Sequence, residues 1–284
     1  MCLAAFAINA STSWPLVIAS NRDEFFNRPT LPMAEWQTSA GHSIISGRDL
    51  RAGGTWLGIT PTGRIALLTN VREPQSPLAP KSRGDLVMRW LQGSMDAGQF
   101  MAQTDRTAYG GFNLVLGDMQ SGAWSCLSNR PVNGGLHCQP MANGVHGLSN
   151  AALNTPWPKT MALKAATNDA LKTTSETPLW EALASRSRAA KAELPLTGLP
   201  LELEAALSSA FVDAPDRGYG TRCTTLLVAR VVKTAQGRQN WQIQVTEKTH
   251  VMDSKSVVAA ASIQHVSLTL QRPNPRLAID ALNF

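Results

Sequence analysis

A cysteine at position 2 and an Arg-Asp pair at positions 22 and 23 have the residue types that nucleophilic catalysis requires. Removal of Met1 would give Cys2 both a thiol and a free α-amine, which titrate near pH ~8.5 and ~7.7–8.0 respectively. The amine can then act as the thiol's own general base, as described for N-terminal threonine. We expect Arg22 to lower the pKa of the thiol and Asp23 to orient the amine. The alternative is that Cys2 has no role and that the pair is a surface ion pair.

An antiparallel hairpin is predicted to bring these residues together. Apolar runs at residues 3–8 and 15–19 have the length of strands, and a short polar segment joins them. This pattern is typical of a hairpin. The second run ends in the polar residues 21–24, so pairing of the two runs returns Arg22 and Asp23 to the start of the chain.

A second hairpin is predicted from residues 55–60 and 64–69. Its last strand would deliver Asn70 to the end of a sheet, where the amide can donate a hydrogen bond to an oxyanion. The alternative role for Asn70 is to cap a turn. Asn150 follows a predicted strand at residues 144–148, and it is either a second polar group of the same pocket or an ordinary loop residue.

Outer helices and further strands are predicted from the rest of the chain. Helical patterns occur after Ser82, at residues 159–172 and in two pieces within residues 176–209, and they predict two outer helical layers. Pro195 and Pro200 separate the last two pieces. Strand patterns occur at residues 111–118, 123–127, 226–232, 241–246 and 257–270.

Several motifs follow one another in an order that resembles a known family. They are Met1-Cys2, Asn21-Arg22-Asp23-Glu24, Gly47-Arg48-Asp49, Gly53-Gly54-Thr55-Trp56, Thr69-Asn70-Val71-Arg72, Gly111-Phe112-Asn113 and Tyr219-Gly220-Thr221-Arg222. In this order, and over roughly the whole chain, they resemble the NRDE family, also called the transport-and-Golgi-organisation family. That family is similar in turn to the cysteine branch of the N-terminal nucleophile hydrolases.

The resemblance implies an α+β fold, a four-layer αββα sandwich with two antiparallel sheets between helical layers. A single domain of residues 1–284 would form it. The resemblance also implies a nucleophile, an arginine beside the thiol, an aspartate near the amine and a late arginine at the start of a strand. The resulting candidate catalytic residues are Cys2, Arg22, Asp23, Asn70, Asn150 and Arg222. Cys223 would point to the other face of its strand, and we expect it to be buried and inert.

Arginine outnumbers lysine by 18 to 8 in this chain, whose formal net charge is +6. The planar guanidinium group suits carboxylates and phosphates. Within the glycine and asparagine motifs, the candidate ligand-binding residues are Arg28, Arg48, Arg51 and Arg72. The alternative is that these arginines pair with neighbouring acidic residues in a structural network.

Composition argues against several classes of protein. Only 6% of residues are aromatic and no basic run is interleaved with them, so nucleic-acid binding is not expected. No apolar stretch reaches the ~18–20 residues of a membrane span, and no basic segment precedes the first apolar run. We therefore expect a cytoplasmic protein without stable membrane insertion. Four cysteines are too few for a disulfide framework, and the spacing of Cys126, His137, Cys138 and His146 fits no common zinc pattern. No metal site is expected.

Three functions remain open at this point. The first is a cysteine amidohydrolase that cleaves a linear C–N amide bond through Cys2 and needs no cofactor. The second is a binding or trafficking protein for a small-molecule or lipid-like anionic ligand, with haem or an acyl-CoA as candidates. The resemblance supports the second because the family's eukaryotic members are associated with Golgi organisation and secretion, lipid metabolism and haem trafficking. The third is an interaction scaffold in which the motifs are structural.

Overall fold

The computed structural model of this chain describes residues 2–74, 79–131, 134–252 and 257–272. In chain order the strands are β1 (Cys2–Ile8), β2 (Leu16–Phe25), β3 (Thr30–Gln37), β4 (Ser43–Asp49), β5 (Leu57–Ile59), β6 (Arg64–Asn70), β7 (Phe112–Asp118), β8 (Ala123–Ser128), β9 (His137–Pro140), β10 (Gly144–Leu148), β11 (Asp213–Ala214), β12 (Tyr219–Lys233), β13 (Gln239–Met252) and β14 (Val257–Gln271). The α-helices are α1 (Gly84–Gln92), α2 (Ala97–Ala102), α3 (Pro158–Thr173), α4 (Thr177–Ala184) and α5 (Leu201–Ala206).

The strands form two antiparallel sheets. One sheet has the order β10-β1-β2-β12-β13-β14, with the short β11 paired to β12. The other sheet has the order β3-β4-β5-β6-β7-β8-β9. The predicted first hairpin is confirmed, because β1 pairs with β2 and the Cα atoms of Cys2 and Arg22 are partners in the ladder. The second predicted hairpin is confirmed as β5 and β6, which ends at Asn70.

Three apolar cores separate four layers. Successive side chains of a strand point to opposite faces of its sheet. Ala4, Phe6 and Ile8 of β1 therefore enter the core between the two sheets, where residues of β4 to β8 meet them. Leu3, Ala5 and Ala7 enter a second core against α3 and α4, and a third core lies between the other sheet and α1 and α2. The predicted αββα sandwich is confirmed.

The strand β2 extends further than the sequence pattern predicts. Its polar residues 21–24 lie inside the strand, whereas the sequence analysis placed them after it. The extension forms because β12 pairs along this stretch, with Asp23 opposite Thr221 and Arg22 opposite Cys223. A β-bulge at Arg222 separates these two pairs and changes the direction of its side chain.

The second helical layer contains the two helical pieces predicted within residues 176–209. The helix α4 ends at Ala184 and α5 begins at Leu201, and between them only a short 3₁₀ turn interrupts irregular backbone. Pro195 and Pro200 lie between the two helices, as predicted, and proline lacks an amide donor and disfavours helix at the residue before it. The predicted loop at residues 74–81 lies partly outside the described residues.

Truncation of Leu227 tests the core between the sheets. Leu227 of β12 is buried there, so Leu227→Ala should lower the free energy of unfolding by about 2–5 kcal/mol through lost burial and a cavity. Urea denaturation followed by circular dichroism measures the change. The matched control is Leu196→Ala, because the Leu196 side chain is 98% exposed, and it should change the value by less than about 0.5 kcal/mol. Equal effects of the two substitutions would contradict this core.

Candidate active site

A cavity of about 600 Å³ opens where β1, β2 and β6 come together. Its volume falls in the range usual for small-molecule sites, about 300–1,000 Å³. Four of the six predicted catalytic residues line it, namely Cys2, Arg22, Asp23 and Asn70. Two predicted ligand-binding residues, Arg28 and Arg51, line it as well.

Cys2 and Arg22 lie side by side on the face of the sheet that looks toward the other sheet. They are cross-strand partners, a position in which side chains of neighbouring strands contact one another. The Arg22 guanidinium stacks 4.1 Å from the centroid of the Trp56 ring, and Nη2 lies 3.9 Å from a carboxylate oxygen of Glu24. Its Nη1 is buried and has no hydrogen-bond partner among the described residues. Arg22 is thus a buried cation that lines the cavity and has one unsatisfied donor nitrogen among the described residues.

Burial raises the pKa of the Cys2 thiol above its ordinary value. The negative charge of Asp23 raises this pKa further, while Arg22 lowers it. Arg22 therefore acts in the direction expected from the sequence, but burial outweighs it. Burial therefore disfavours the nucleophilic thiolate, and a base beside the thiol would help to generate it.

Asp23 points to the opposite face of β2, toward the α3 side of the sheet, and is buried. Its Oδ1 accepts a hydrogen bond of 2.7 Å from the Thr221 hydroxyl, and its backbone carbonyl accepts one of 3.0 Å from the Tyr219 hydroxyl. Burial raises the pKa of the Asp23 carboxyl, and Lys159 and the Thr221 hydrogen bond oppose that shift. The orientation of the carboxylate is fixed by β12.

Asn70 and Asn150 have different positions in the site. The side-chain amide of Asn70 forms no hydrogen bond with the described residues, and it lies at the cavity. Asn150 is buried, and its Nδ2 donates to the backbone carbonyl of Asn70 at 2.9 Å. The neighbouring Ser149 hydroxyl donates to the backbone carbonyl of Cys2 at 3.1 Å. Asn150 thus holds the strand end that carries Asn70.

The remaining predicted arginines contact other parts of the protein. Arg222 donates through Nη1 to the carbonyls of Phe25, Phe26 and Arg28, at 2.8, 3.1 and 3.2 Å, and so holds the turn after β2. Arg48 stacks 4.3 Å from the Trp36 ring centroid.

Arg72 is buried behind the site, paired with Glu204 of α5. Its Nη2 also donates to the carbonyl of Leu207 at 3.4 Å, and its guanidinium lies 4.6 Å from the Trp157 ring centroid. Arg72 therefore links the end of β6 to the helical layer.

Three cationic residues of the site were missed from the sequence. Lys159, in the first turn of α3, is buried and donates through Nζ to the Leu207 carbonyl at 2.8 Å. Lys81 and Arg83 line the cavity just before α1. A lysine on the apolar side of a predicted helix was the available signal for Lys159. The segment before α1 carried no distinguishing pattern.

Lys159 belongs to a buried group of charges that also contains Asp23, Arg72 and Glu204. Burial lowers the pKa of Lys159 to about 8, against the opposing attraction of Asp23. Arg72 and Lys159 both donate to the Leu207 carbonyl. Two cations and two carboxylates therefore balance beneath the cavity.

The described part of the chain lacks two kinds of feature. Within residues 2–74, 79–131, 134–252 and 257–272, no group of three or more His, Cys, Asp and Glu side chains is arranged to hold a metal ion. No helix in these ranges is both long enough and apolar enough to cross a membrane. Cys223 is buried, and burial raises its pKa well above the ordinary value, as expected for an inert thiol.

An αββα sandwich with a cysteine at the start of a central strand, beside an arginine and an aspartate of the neighbouring strand, defines a protein of the N-terminal nucleophile hydrolase fold. A family model described as Transport and Golgi organisation 2 matches residues 1–250. The chain belongs to this family.

Two curated proteins and one solved structure are similar to this chain. The chain is 29% identical over 248 residues to the Transport and Golgi organization protein 2 homolog of Bos taurus, covering 80% of this chain and 88% of that protein. It is 33% identical over 168 residues to the Mus musculus homolog, covering 56% of this chain and 60% of the relative's length. Among solved structures, it is similar to a Caenorhabditis elegans N-acylethanolamine-hydrolyzing acid amidase ortholog, with 10% identity, a TM-score of 0.44, and coverage of 80% of this chain and 92% of the other.

Removal of Lys159 tests the buried charges through pH. The folded state holds the Lys159 proton with a pKa of about 8, and the ordinary value is 10.5. Between these values the unfolded state binds more protons, so the lysine makes the free energy of unfolding rise with pH, by at most about 1.4 kcal/mol per pH unit. Urea denaturation between pH 8 and 10 should therefore show wild type gaining stability relative to Lys159→Met. A difference independent of pH would contradict the lowered pKa. Lys172→Met, at an exposed position of α3, is the control.

Proposed function

We propose that this protein is a cysteine hydrolase that cleaves a linear C–N amide bond with Cys2 as the nucleophile. The observation that carries the proposal is the shared cavity of Cys2, Arg22, Asp23 and Asn70. A free α-amine on Cys2, exposed by loss of Met1, would supply the base that the raised pKa of the thiol requires. Met1 itself lies outside the described residues.

The reaction would proceed in two stages. The amine takes the thiol proton, and the thiolate sulfur forms a bond to the amide carbonyl carbon. The C–N bond then breaks as the amine's proton passes to the leaving nitrogen, which leaves a thioester on Cys2. Water adds to the thioester and gives its proton to the amine, and the S–C bond breaks to release the acid and restore the thiol.

Asn70 is the candidate donor to the oxyanion in both stages. Its amide has no other hydrogen-bond partner among the described residues, and its backbone is held by Asn150. A donor fixed in this way stabilises charge that develops only in the transition state. Asp23, oriented by Thr221, is the candidate partner for the amine.

Transport of an anionic ligand is the second candidate function, and the charge of the cavity favours it. Among the described residues, five cationic side chains line the cavity against three carboxylates, the cations being Arg22, Arg28, Arg51, Lys81 and Arg83. A ligand with an apolar body and an acidic head, such as haem or an acyl-CoA, would suit such a site, and Cys2 is a candidate thiolate ligand for haem iron. A cytoplasmic location and roles in lipid metabolism or haem trafficking belong to this second proposal.

Replacement of Cys2 tests the hydrolase. Intact mass should first show that the purified protein lacks one methionine. Cys2→Ala should then lower turnover of an N-acyl amide panel by about 10³-fold or more, because the nucleophile is lost, while circular dichroism and thermal unfolding stay unchanged. Cys138→Ala is the matched control, since Cys138 is a partly exposed cysteine on the edge strand β9. Undiminished turnover in Cys2→Ala would reject this mechanism.

Binding titrations test the second function. Haem and a long-chain acyl-CoA, each added to wild type and to Arg51→Gln, should bind saturably to wild type and more weakly to the variant, because Arg51 lines the cavity. Calorimetry measures both affinities. If the protein carries its ligand without a chemical reaction, Cys2→Ala should still bind acyl-CoA. If wild type binds neither ligand saturably, the transport function is rejected.

A further inference from the structure

One wall of the cavity is formed by the segment that leads into α1. Lys81, Ser82, Arg83 and Gly84 all line the cavity. The Lys81 ammonium and the Arg83 guanidinium form no ion pair with a carboxylate among the described residues. Arg83 donates through Nη1 to the backbone carbonyl of Gly111 at 3.1 Å, which fixes its side chain.

Close backbone contacts hold the start of α1 at this wall. A Cβ atom added to Gly54 would lie 2.7 Å from the carbonyl carbon of Gly84, and one added to Gly84 would lie 3.0 Å from the carbonyl oxygen of Thr55. These glycines allow the helix terminus to reach the cavity. The N-terminus of a helix carries a partial positive charge that favours anions. The acidic residue of the first turn, Asp85, accepts a hydrogen bond from the Tyr109 hydroxyl at 2.6 Å.

An independent feature of the same cavity also requires an acceptor. The Arg22 side chain is 6% exposed, and its Nη1 has no hydrogen-bond partner in the described residues. A buried charged donor without a partner is costly, and folded proteins rarely leave one unsatisfied. A ligand oxygen beside the Arg22 guanidinium, which lines the cavity, would offset part of this cost.

The Cys2 thiol and this wall line the same cavity. Burial lowers the pKa of Arg83, and the charges of Glu24, Glu73 and the Cys2 thiolate oppose that shift. We propose that Lys81, Arg83 and Arg22, with the first turn of α1, form an anion subsite beside Cys2. The subsite takes a carboxylate or phosphate group of the ligand. The inference deepens the proposed hydrolase by naming its substrate class, an amide with an anionic group near the scissile bond, and rests on that proposal for the role of Cys2.

Alkylation of Cys2 by two reagents of different charge tests the subsite without any substrate. Iodoacetate is anionic and iodoacetamide is neutral, and peptide mapping gives the rate of each reagent at Cys2. Both rates depend equally on the thiolate fraction, which therefore cancels in their ratio. The ratio of the two rates then reports the electrostatic potential at Cys2. We expect the ratio at low ionic strength to exceed that of a free cysteine peptide. Lys81→Gln and Arg83→Gln should each lower it by about twofold to fivefold, as expected for loss of one nearby charge.

The control is Lys172→Gln, at an exposed position about 20 Å along α3 from Lys159, and it should leave the ratio unchanged. Lys81→Gln keeps the experiment decisive if Arg83→Gln impairs folding, because the Lys81 side chain is exposed. Protection of Cys2 by inorganic phosphate but not acetate identifies a phosphate group, and the reverse identifies a carboxylate.

Three results would overturn the inference. The first is a wild-type ratio equal to that of the peptide, and the second is a ratio unchanged in Lys81→Gln and in a folded Arg83→Gln. The third is failure of both reagents to label Cys2. Turnover is measured separately. A protein that shows the charge-dependent ratio but hydrolyses no amide retains the subsite and loses the hydrolase proposal.

Discussion

Pairing of β2 with strands on both of its sides is the constraint on which the site depends. The stretch Asn21 to Glu24 is polar, yet it lies in the middle of a sheet that is covered on both faces. Its buried polar side chains need partners on the face to which the strand directs them. Asn21 donates to the carbonyls of Leu183 and Ala210, both at 2.8 Å, and Asp23 accepts from Thr221. The intervening Arg22 is thereby directed to the cavity beside Cys2.

The helical layer reinforces that arrangement through buried charge. Arg72 and Glu204 form an ion pair beneath the strand ends, and Lys159 shares the Leu207 carbonyl with Arg72. Removing one member of a buried ion pair leaves an uncompensated charge, which lowers the free energy of unfolding by about 3–5 kcal/mol. The helices α3 and α5 are therefore fixed to the ends of β2 and β6. A site held in this way needs little rearrangement when charge develops in it.

The sequence predicts the strands and layers of the molecule better than it predicts which residues form the site. Apolar runs and turns predicted the first two hairpins, and the pairing of Cys2 with Arg22 and the position of Asn70 followed from them. The resemblance to a family supplied the layer order. Contacts between distant segments were not predictable from local pattern. The electrostatic interactions of Lys159 with Asp23 and of Arg83 with Cys2 depend on how the helices pack on the sheets. Likewise the bulge at Arg222 turns its side chain to the loop after β2.

The motif residues divide into those whose polar groups are satisfied within the fold and those that leave a group free at the cavity. Asn21 and Arg222 use their side chains on backbone carbonyls, so the fold alone accounts for their chemistry. Asn70 and Arg22 differ, because the Asn70 amide and the Arg22 Nη1 have no hydrogen-bond partner among the described residues. A buried donor that forms no hydrogen bond lowers the stability of a protein. A purely structural motif would therefore gain nothing from such donors next to a cysteine. The distribution of satisfied and free groups therefore favours a site that binds an oxygen-rich ligand over a purely structural motif.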